Sequence, residues 1–345
     1  MFERNIYDHY QLYCEERFML GDLEGFEANR EYYVFVPIEF TAGQSIQDMI
    51  VMTEHLKTTG ERGVADIIRT VHNQAVALVD GVDGFLFKLP KSDAEWRAEA
   101  EESTGRSLAF FHYKGSNIQA ATQSTANYYG QWKFIWEKRL TQLEQWYQTM
   151  LQRLPQTEVD DAFLMSFPYY MGLTENAIQF VADSDIDEPY RGNEHPAICH
   201  NCFTDRSWLT SPNTAQSLIK LPSHFIIDHP SRDVAEWIRH EFHGEEFSET
   251  NLLKFISDYE SVKPLTSYSW RMIYARLLFP LKYFETLENY YGTQLKEERL
   301  YYGEEFFHLL DREQRNQTFL SDFHQIMGHS EMITRVPRVD WLQQI

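Results

Sequence analysis

The residues best suited to chemistry lie in one short segment, "HPAICHNCFTDRSW", which runs from His195 to Trp208. Cys199 and Cys202 form a C-x-x-C pair, and His200 stands between them. Zinc accepts thiolate and imidazole ligands, and a C-x-x-C pair can also cycle between dithiol and disulfide. The segment therefore raises the hypothesis of a metal or dithiol site.

The metal hypothesis requires more ligands than the cysteine pair supplies. A structural zinc site generally has four nitrogen or sulfur ligands, and only one half of such a set is present. Four histidines close in sequence could complete it: His195, His200, His224 and His229. Alternatively, the loop histidine is structural and the cysteines pack as small buried side chains. Because only half of a ligand set is certain, we predict no metal. The pair also lacks the βαβ pattern of a redox motif, which argues against dithiol chemistry.

Two other patterns are better explained by structure than by chemistry. In "EWIRHEFHGEE", His240 and His243 are one residue short of the H-E-x-x-H spacing that places both histidines on one helical face. We predict a solvated helix end there. Trp132, Trp136 and Trp146 recur at helical spacing, which indicates a core stripe rather than a ligand cage.

The first 90 residues have the pattern of a small sheet with one helix. Runs rich in β-branched and aromatic residues occur in "YQLYCEERFML", "GDLEGFEANREYYVFVPIEF" and "NQAVALVDGVDGFLFKLP". The segments "EANRE" and "DGVDG" are typical of hairpin turns. Ser45–Thr58 has helical spacing, with Ser45 as its candidate cap. Residues 1–90 are therefore predicted to form a five-strand sheet plus one helix.

Residues 91–345 are predicted to be mostly helical. The stretch Lys91–Gly105 is polar and acidic, as expected of a linker. Beyond it, apolar residues recur every three or four positions in several long segments, one of them disturbed by Pro168 and Gly172. The chain is thus predicted to be an α+β protein with a β-rich lobe, 1–90, and a helical lobe, 91–345.

Composition narrows the possible partners. The formal net charge is −21, from 52 acidic and 31 basic residues, and such a field repels nucleic acids and anionic lipid surfaces. No window approaches the ~18 apolar residues of a membrane span, and the charged N-terminus lacks the apolar core of a secretion signal. Three cysteines are too few for a disulfide framework. We expect a cytoplasmic protein with no nucleic-acid partner and no membrane span.

Several stretches carry a family resemblance. "LAFFHYKGSN", "GQWKFIWEKRLTQLEQW" and "ARLLFPLKYFETLENYYG" resemble, in turn, the segment after the hinge, the Gly-x-Trp helix and the C-terminal helix of one family. This is the aminoglycoside and choline phosphotransferase branch of the protein-kinase-like fold, and within it the spore-coat-associated proteins of the CotS/YutH type. The resemblance spans most of the chain and implies a bilobal kinase-like fold.

The resemblance assigns roles to the opening segment. Active relatives carry H-x-D-x-x-x-x-N, in which the Asp orients or deprotonates the acceptor hydroxyl and the Asn helps to hold magnesium. Aligned with "HNCFTDRS", His200 matches the His, but Cys202 replaces the catalytic Asp and Ser207 replaces the Asn. Asp205 is a fallback base three residues downstream. The loop is therefore predicted to be degenerate.

Two carboxylates of the family pattern are retained. Asp228, at the end of "FIID", matches the residue that binds magnesium and nucleotide in relatives, and Asp233 resembles the structural Asp that braces the catalytic loop. One carboxylate alone is a weak magnesium site, because this ion usually relies on several oxygen ligands together with substrate phosphates.

The groups that bind phosphate are missing. The strand "YYVFVPIEF" contains no Lys or Arg, and the position of the family's phosphate-anchoring Lys falls at Val34 or Val36. Lys88 lies on another strand and is expected to be an exposed edge residue. The glycines Gly21 and Gly25 stand beside acidic residues that would repel a nucleotide.

Together, these substitutions predict a catalytically inactive kinase-like protein. Losing a general base alone costs ~10²–10⁴ in rate. The resemblance implies a structural component in sporulation that is made in the mother-cell cytoplasm, joins the spore coat, binds other coat proteins and needs no cofactor. The alternatives are an active small-molecule phosphotransferase with ATP and magnesium, using Asp228 and an atypical base such as Asp205, or a ligand-binding pseudokinase.

Overall fold

The structure is a computed structural model that describes residues 1–91, 103–118, 124–153, 155–188, 194–210, 218–244, 247–328 and 331–343. The chain forms two compact units. The first comprises residues 1–129 and 194–264, and the second comprises residues 130–193 and 265–345. This division differs from the predicted lobes 1–90 and 91–345, whose boundary stays a prediction. Most of the predicted linker Lys91–Gly105 lies outside the described residues.

The first unit contains all the strands of the described chain and five of its α-helices. Its strands are β1 Glu16–Leu20, β2 Leu23–Ala28, β3 Glu31–Pro37, β4 Asp66–Ile68, β5 Val76–Val79, β6 Val82–Lys88, β7 Ala197–His200, β8 Trp208–Thr210, β9 Leu218–Lys220 and β10 Phe225–Asp228. Its helices are α1 Phe2–Tyr10, α2 Ile46–Thr58, α3 Thr104–Lys114, α6 Ser231–His243 and α7 Glu249–Glu260.

The N-terminal part forms a six-stranded antiparallel sheet in the order β1-β2-β3-β6-β4, with β5 also pairing with β6. The predicted count of five strands and one helix was wrong. It omitted β4, which is only three residues long, and α1, which buries Phe2, Ile6 and Tyr10 at four-residue spacing. Neither segment is long enough to show a convincing period in the sequence.

Both predicted hairpin turns are present. Asn29 and Arg30 connect β2 to β3 with φ values of 54° and 60°, and Asp80 and Gly81 connect β5 to β6 with φ values of 51° and 85°. Two successive positive φ values produce the turn whose twist matches that of the flanking strands. Ser45 caps α2 as predicted, since its hydroxyl accepts a hydrogen bond from the Asp48 backbone N–H.

The sheet has apolar side chains on both faces. One face packs with α1 through a cluster that includes Phe2, Phe26 and Phe35. The opposite face packs with Met49 of α2, and Val34 and Val36 belong to this second cluster. Alternate residues of a strand point to opposite faces, so Val34 and Val36 share one face. The two positions predicted to match the phosphate-anchoring Lys of active relatives therefore belong to the hydrophobic core.

The second unit is helical. Its α-helices are α4 Trp132–Leu151, α5 Glu158–Asp187, α8 Ser267–Leu278, α9 Leu281–Gly292 and α10 Lys296–Ile326. The sequence predicted that Pro168 and Gly172 disturb this helical region, but α5 is a continuous helix of 30 residues that includes Pro168. Phe163 and Phe167 lie one helical turn apart, and their buried rings are in contact. Burial of such side chains stabilises a helix and can offset the one hydrogen bond that a proline does not donate.

The predicted tryptophan stripe belongs to the core of the second unit. Trp132 and Trp136 are buried, and Trp136 stacks on Phe279 with ring centroids 4.6 Å apart. Trp146 is partly buried beside Tyr291. Among the described helices, none is long and apolar enough to cross a membrane.

Candidate functional site

All the residues predicted for the site lie in the first unit. Strands β7 and β10 pair antiparallel, so that His200 is opposite Phe225 and Asp228 is opposite Ala197. The predicted catalytic loop begins where β7 ends at His200, and Asp228 is the last residue of β10. Helix α6 follows within three residues and carries Asp233 in its first turn.

Asp233 binds the start of the loop. Its fully buried carboxylate accepts hydrogen bonds from the His200 backbone N–H at 3.0 Å and from His200 Nδ1 at 2.7 Å. His112 Nε2 lies 3.1 Å away, and His112 Nδ1 is 2.8 Å from the Tyr259 hydroxyl. Burial raises the pKa of the Asp233 carboxyl, but the two histidines outweigh it and hold this pKa well below its usual range.

His200 has no nitrogen left for another ligand. Its Nδ1 contacts Asp233, and its Nε2 accepts a hydrogen bond of 2.9 Å from the Trp208 indole N–H. An imidazole with both nitrogens engaged cannot offer a lone pair to a metal. His200 therefore positions the loop backbone.

Cys202 is the residue predicted to replace the catalytic Asp of active relatives. Its side chain is exposed, and its Sγ lies 4.0 Å from Glu236 Oε2 on α6. A thiol is a weak hydrogen-bond donor and acceptor compared with a carboxylate. A thiol at this position would therefore orient or deprotonate an acceptor hydroxyl much less effectively than the Asp of active relatives.

Ser207, the residue predicted to replace the metal-binding Asn, closes a turn within the loop. Its hydroxyl donates to the Cys202 carbonyl at 3.0 Å and accepts from the Thr204 backbone N–H at 2.8 Å. Asp205, the fallback base, is exposed and pairs with His240 Nε2 at 3.1 Å. The structure therefore gives Ser207 a local bracing role and places Asp205 against the end of α6.

Asp228 is bonded to its own chain through both carboxylate oxygens. Oδ2 accepts from Arg232 Nη1 at 2.8 Å, and Oδ1 accepts from the His229 backbone N–H at 2.7 Å. Arg232 also donates to the Asn201 carbonyl at 2.9 Å and lies over the Tyr128 ring at 5.3 Å. Burial lowers the pKa of Arg232, but Asp228 more than offsets this and raises it. The buried carboxylate thus already has a cation beside it.

The structure does not gather the cysteines and histidines that were considered as a possible ligand set. Cys199 is buried and donates to the Asp228 carbonyl, and burial raises the pKa of its thiol, whereas Cys202 is exposed. Both nitrogens of His229 are engaged, with Ser231 and Glu194. Within the described ranges, the residues grouped closely enough to hold an ion are His112, Cys199 and Asp233. This group belongs to the network that braces the loop.

A buried lysine is present on a strand that the sequence did not single out. Lys220 of β9 is 7% exposed, and its Nζ lies 2.7 Å from Glu61, which follows α2. Lys114 Nζ is 3.4 Å from the other oxygen of Glu61. Burial raises the pKa of Glu61, but the two lysines outweigh it and lower this pKa to about 2. Lys220 is thus paired with a carboxylate inside the protein.

The remaining candidates have structural roles. Lys88 pairs with Glu31 at 3.3 Å across the sheet. Gly21 has a φ of +60° in the turn after β1. At Gly25, an added Cβ would come within 2.4 Å of Phe18 and 2.9 Å of the Tyr33 carbonyl oxygen, so close strand packing requires glycine there.

Three participants were missed from the sequence. Lys220 was a single lysine in "SLIKLP", and His112 was hidden in the aromatic run "FFHY". Arg232 lies four residues after Asp228 in "DHPSR", yet this spacing gave no usable signal. Residues four apart are neighbours on a helix, but here the pair spans a strand end and a helix start, where that rule does not apply.

Comparison with known proteins identifies the family. The family model described as "Spore coat putative kinase YutH" matches residues 3–323. The chain belongs to the YutH family. It is 34% identical over 319 residues to the endospore coat-associated protein YutH of Bacillus subtilis strain 168, covering 92% of this chain and 91% of that protein. The predicted resemblance to the CotS/YutH type is confirmed.

Solved structures confirm the fold. An aminoglycoside phosphotransferase from Alicyclobacillus acidocaldarius matches with a TM-score of 0.62 at 15% identity, covering 93% of this chain and 95% of that one. A spectinomycin phosphotransferase bound to ADP and spectinomycin matches with a TM-score of 0.54 at 12% identity, covering 89% and 92%. Such low identities carry the fold alone. The predicted α+β kinase-like fold is therefore confirmed.

Proposed function

We propose that this protein is a kinase-like structural component of the spore coat that does not carry out ordinary phosphoryl transfer. The observation that carries the proposal is the buried ion pair between Asp228 and Arg232. In this family pattern, the carboxylate at Asp228 is the one that would hold magnesium. Here the chain supplies its own cation to that carboxylate.

The ion pair opposes metal binding in two ways. Magnesium binds through carboxylate oxygens and phosphates, and both oxygens of Asp228 already accept hydrogen bonds. A magnesium ion placed at Asp228 would also lie close to the Arg232 guanidinium, and like charges repel strongly where water is excluded. Metal binding would therefore require Arg232 to leave Asp228 and Asn201.

The groups that would act on the acceptor hydroxyl are also missing. Cys202 replaces the carboxylate that would orient or deprotonate the hydroxyl, and Ser207 is committed to the turn through Thr204 and the Cys202 carbonyl. Losing a general base typically costs ~10²–10⁴ in rate. Phosphate-positioning cations contribute to what is usually the largest catalytic effect, and the strand positions Val34 and Val36 supply none.

The coat assignment comes from the relative. The Bacillus subtilis protein is described as endospore coat-associated, and the match covers nearly all of both chains. We extend this to the present chain: synthesis in the mother-cell cytoplasm, transfer to the spore coat, other coat proteins as partners, and no cofactor.

A second candidate is a pseudokinase that binds a ligand without turnover. It is favoured by the intact brace between Asp233, His200 and His112, which keeps the start of the loop in one conformation. ATP and magnesium would be the ligands to test, with Asp228 as the metal-binding residue and Asp205 as the base if any phosphate transfer remained.

Thermal unfolding with ATP, in the presence and absence of magnesium, separates these functions. We expect no magnesium-dependent shift for the unmodified chain and no phosphate transfer to aminoglycosides or choline. A magnesium-dependent shift that disappears in Asp228→Ala would favour the ligand-binding candidate. Phosphate transfer that disappears in Asp205→Ala would overturn the inactive assignment. A fluorescent fusion that stayed off the forespore surface would overturn the coat assignment.

A further inference from the structure

The first half of α10 exposes a regular stripe of side chains. Seven residues on one side of the helix are all exposed, and we call them the α10 stripe: Glu297, Leu300, Tyr301, Glu304, Phe307, His308 and Asp311. Leu300 is 59% exposed and Tyr301 is 57% exposed. Large apolar side chains at this exposure occur singly on many proteins, but here they occupy one helical face.

The stripe repeats every seven residues. Acidic residues recur at Glu297, Glu304 and Asp311, and apolar residues recur at Leu300 and Phe307, three positions after the first two acids. Seven residues make almost two full helical turns, so these positions form one line along the helix. A seven-residue repeat of this kind is what a helix presents to another helix.

The opposite side of the same helix is anchored. Gly303 and Phe306 are buried within the second unit, as are Phe319, Leu320 and Phe323 in the second half of α10. The helix is therefore held by its own unit along one side while the stripe faces solvent. A rigid, exposed face loses little conformational entropy when a partner binds.

We propose that the α10 stripe is the docking surface for a basic amphipathic helix of another protein. Apolar side chains of the partner would pack on Leu300, Tyr301 and Phe307, and its Lys or Arg side chains would pair with the acids between them. This inference rests on the structural role proposed above and adds a class of partner to it. The α10 stripe belongs to the second unit, whereas the predicted catalytic loop belongs to the first.

Charge argues against a second copy of this chain as the occupant. Parallel pairing of two stripes would place each acid beside its own copy. Antiparallel pairing centred on Glu304 would place Glu304 against itself and Glu297 beside Asp311. Like charges in contact disfavour both arrangements. The net charge of −21 also repels anionic membranes and attracts basic partners over longer distances.

The test uses a synthetic helical peptide of about three heptads, with Leu and Lys at alternate positions of the seam. Fluorescence anisotropy should show binding to the full chain that weakens as salt is added. Leu300→Ser/Phe307→Ser should reduce affinity at least about tenfold, because central apolar anchors dominate such interfaces. The control is Met165→Ser/Phe134→Ser, which removes apolar side chains that are more exposed than Leu300 and Phe307 from other helices without changing charge.

Three results would overturn the proposal. The first is equal binding of a scrambled peptide with the same composition, which would indicate bulk charge attraction. The second is undiminished binding by Leu300→Ser/Phe307→Ser or by Glu304→Lys. The third is self-association of the unmodified chain that the double Ser variant abolishes, which would make the occupant a second copy. Coat localisation and phosphate transfer are measured separately, so failure here is distinguishable from failure of the proposed function.

Discussion

Arg232 Nη1 donates a 2.8 Å hydrogen bond to Oδ2 of Asp228, which is completely buried. The same guanidinium donates to the Asn201 carbonyl next to Cys202. One side chain therefore neutralises the carboxylate that the family pattern assigns to magnesium, and also ties it to the start of the degenerate loop. The predictions on the site depend on this arrangement.

Arg232→Ala should destabilise the protein and create a site for a divalent cation. It leaves the Asp228 charge buried without its guanidinium, and breaking a buried ion pair costs about 3–5 kcal/mol. Magnesium or calcium should then recover part of the lost stability, while having no such effect on the unmodified chain. Urea unfolding with and without the cation measures both effects.

Two variants control for this prediction. Arg17→Ala removes a guanidinium that pairs with the partly exposed carboxylate of Glu24 instead, and its stability should not respond to cations. In Asp228→Asn/Arg232→Ala the buried charge is gone, so the cation response should be lost. If Arg232→Ala gained no more from magnesium than Arg17→Ala does, Asp228 would not be the latent cation ligand described here.

Lys220→Met should be more destabilising than Lys88→Met. Glu61 is buried, and Lys220 lies closer to it than Lys114 does, so the variant leaves a poorly compensated charge at a cost of about 3 kcal/mol. Lys88 pairs with Glu31 at a partly exposed position, where an ion pair contributes up to about 1 kcal/mol. Chemical denaturation of both variants makes the comparison, and equal losses would contradict it.

The same pair gives a pH dependence. The pKa of Glu61 is lowered to about 2 in the folded protein, below its unfolded value of ~4.3. The ionised Glu61 therefore contributes fully to the free energy of unfolding above pH ~4.3, and this contribution is lost as the pH falls toward 2. Lys220→Met/Glu61→Leu should remove this part of the acid sensitivity, and parallel acid titrations of the two proteins would test it.

His224 should add a second acid-sensitive step at higher pH. Burial lowers the pKa of His224 to about 4, whereas the unfolded value is ~6.5. Between these two pKa values the folded state binds fewer protons than the unfolded state. The free energy of unfolding is therefore highest above pH ~6.5 and declines as the pH falls to about 4. The loss should be on the order of 3 kcal/mol and should be smaller in His224→Gln. Identical slopes of unfolding free energy against pH for the two proteins would rule this out.

Restoring the catalytic Asp alone should not restore phosphate transfer. Cys202→Asp places a carboxylate near Glu236, whose Oε2 is 4.0 Å from the present Sγ. We expect a loss of about 1 kcal/mol from like-charge repulsion and no transfer, because Arg232 still pairs with Asp228. Cys202→Ser is the neutral control for stability. Transfer by Cys202→Asp, followed with radiolabelled ATP, would show that the remaining groups suffice for the chemistry.

Local sequence determined the turns, the cap and most helices. The Asp80-Gly81 turn and the Ser45 cap depend on backbone preferences and hydrogen bonds within a few residues, and such effects operate whatever the rest of the chain does. The replacement of the loop Asp by Cys202 and of the Asn by Ser207 could likewise be derived from the sequence, through the resemblance to active relatives.

Only the tertiary structure decided the partners of the buried charges. His112 meets Asp233 across 121 residues of sequence, and Lys220 meets Glu61 across 159. No periodicity links such positions, because the pairing depends on which strands and helices pack together. Asp228 and Arg232 are close in sequence, yet their contact depends on the path between β10 and α6. The sequence by itself therefore predicted which catalytic groups are replaced. The fold showed that the buried Asp228 carboxylate is paired with a cation of its own chain, because burial permits a charge only beside its counter-charge.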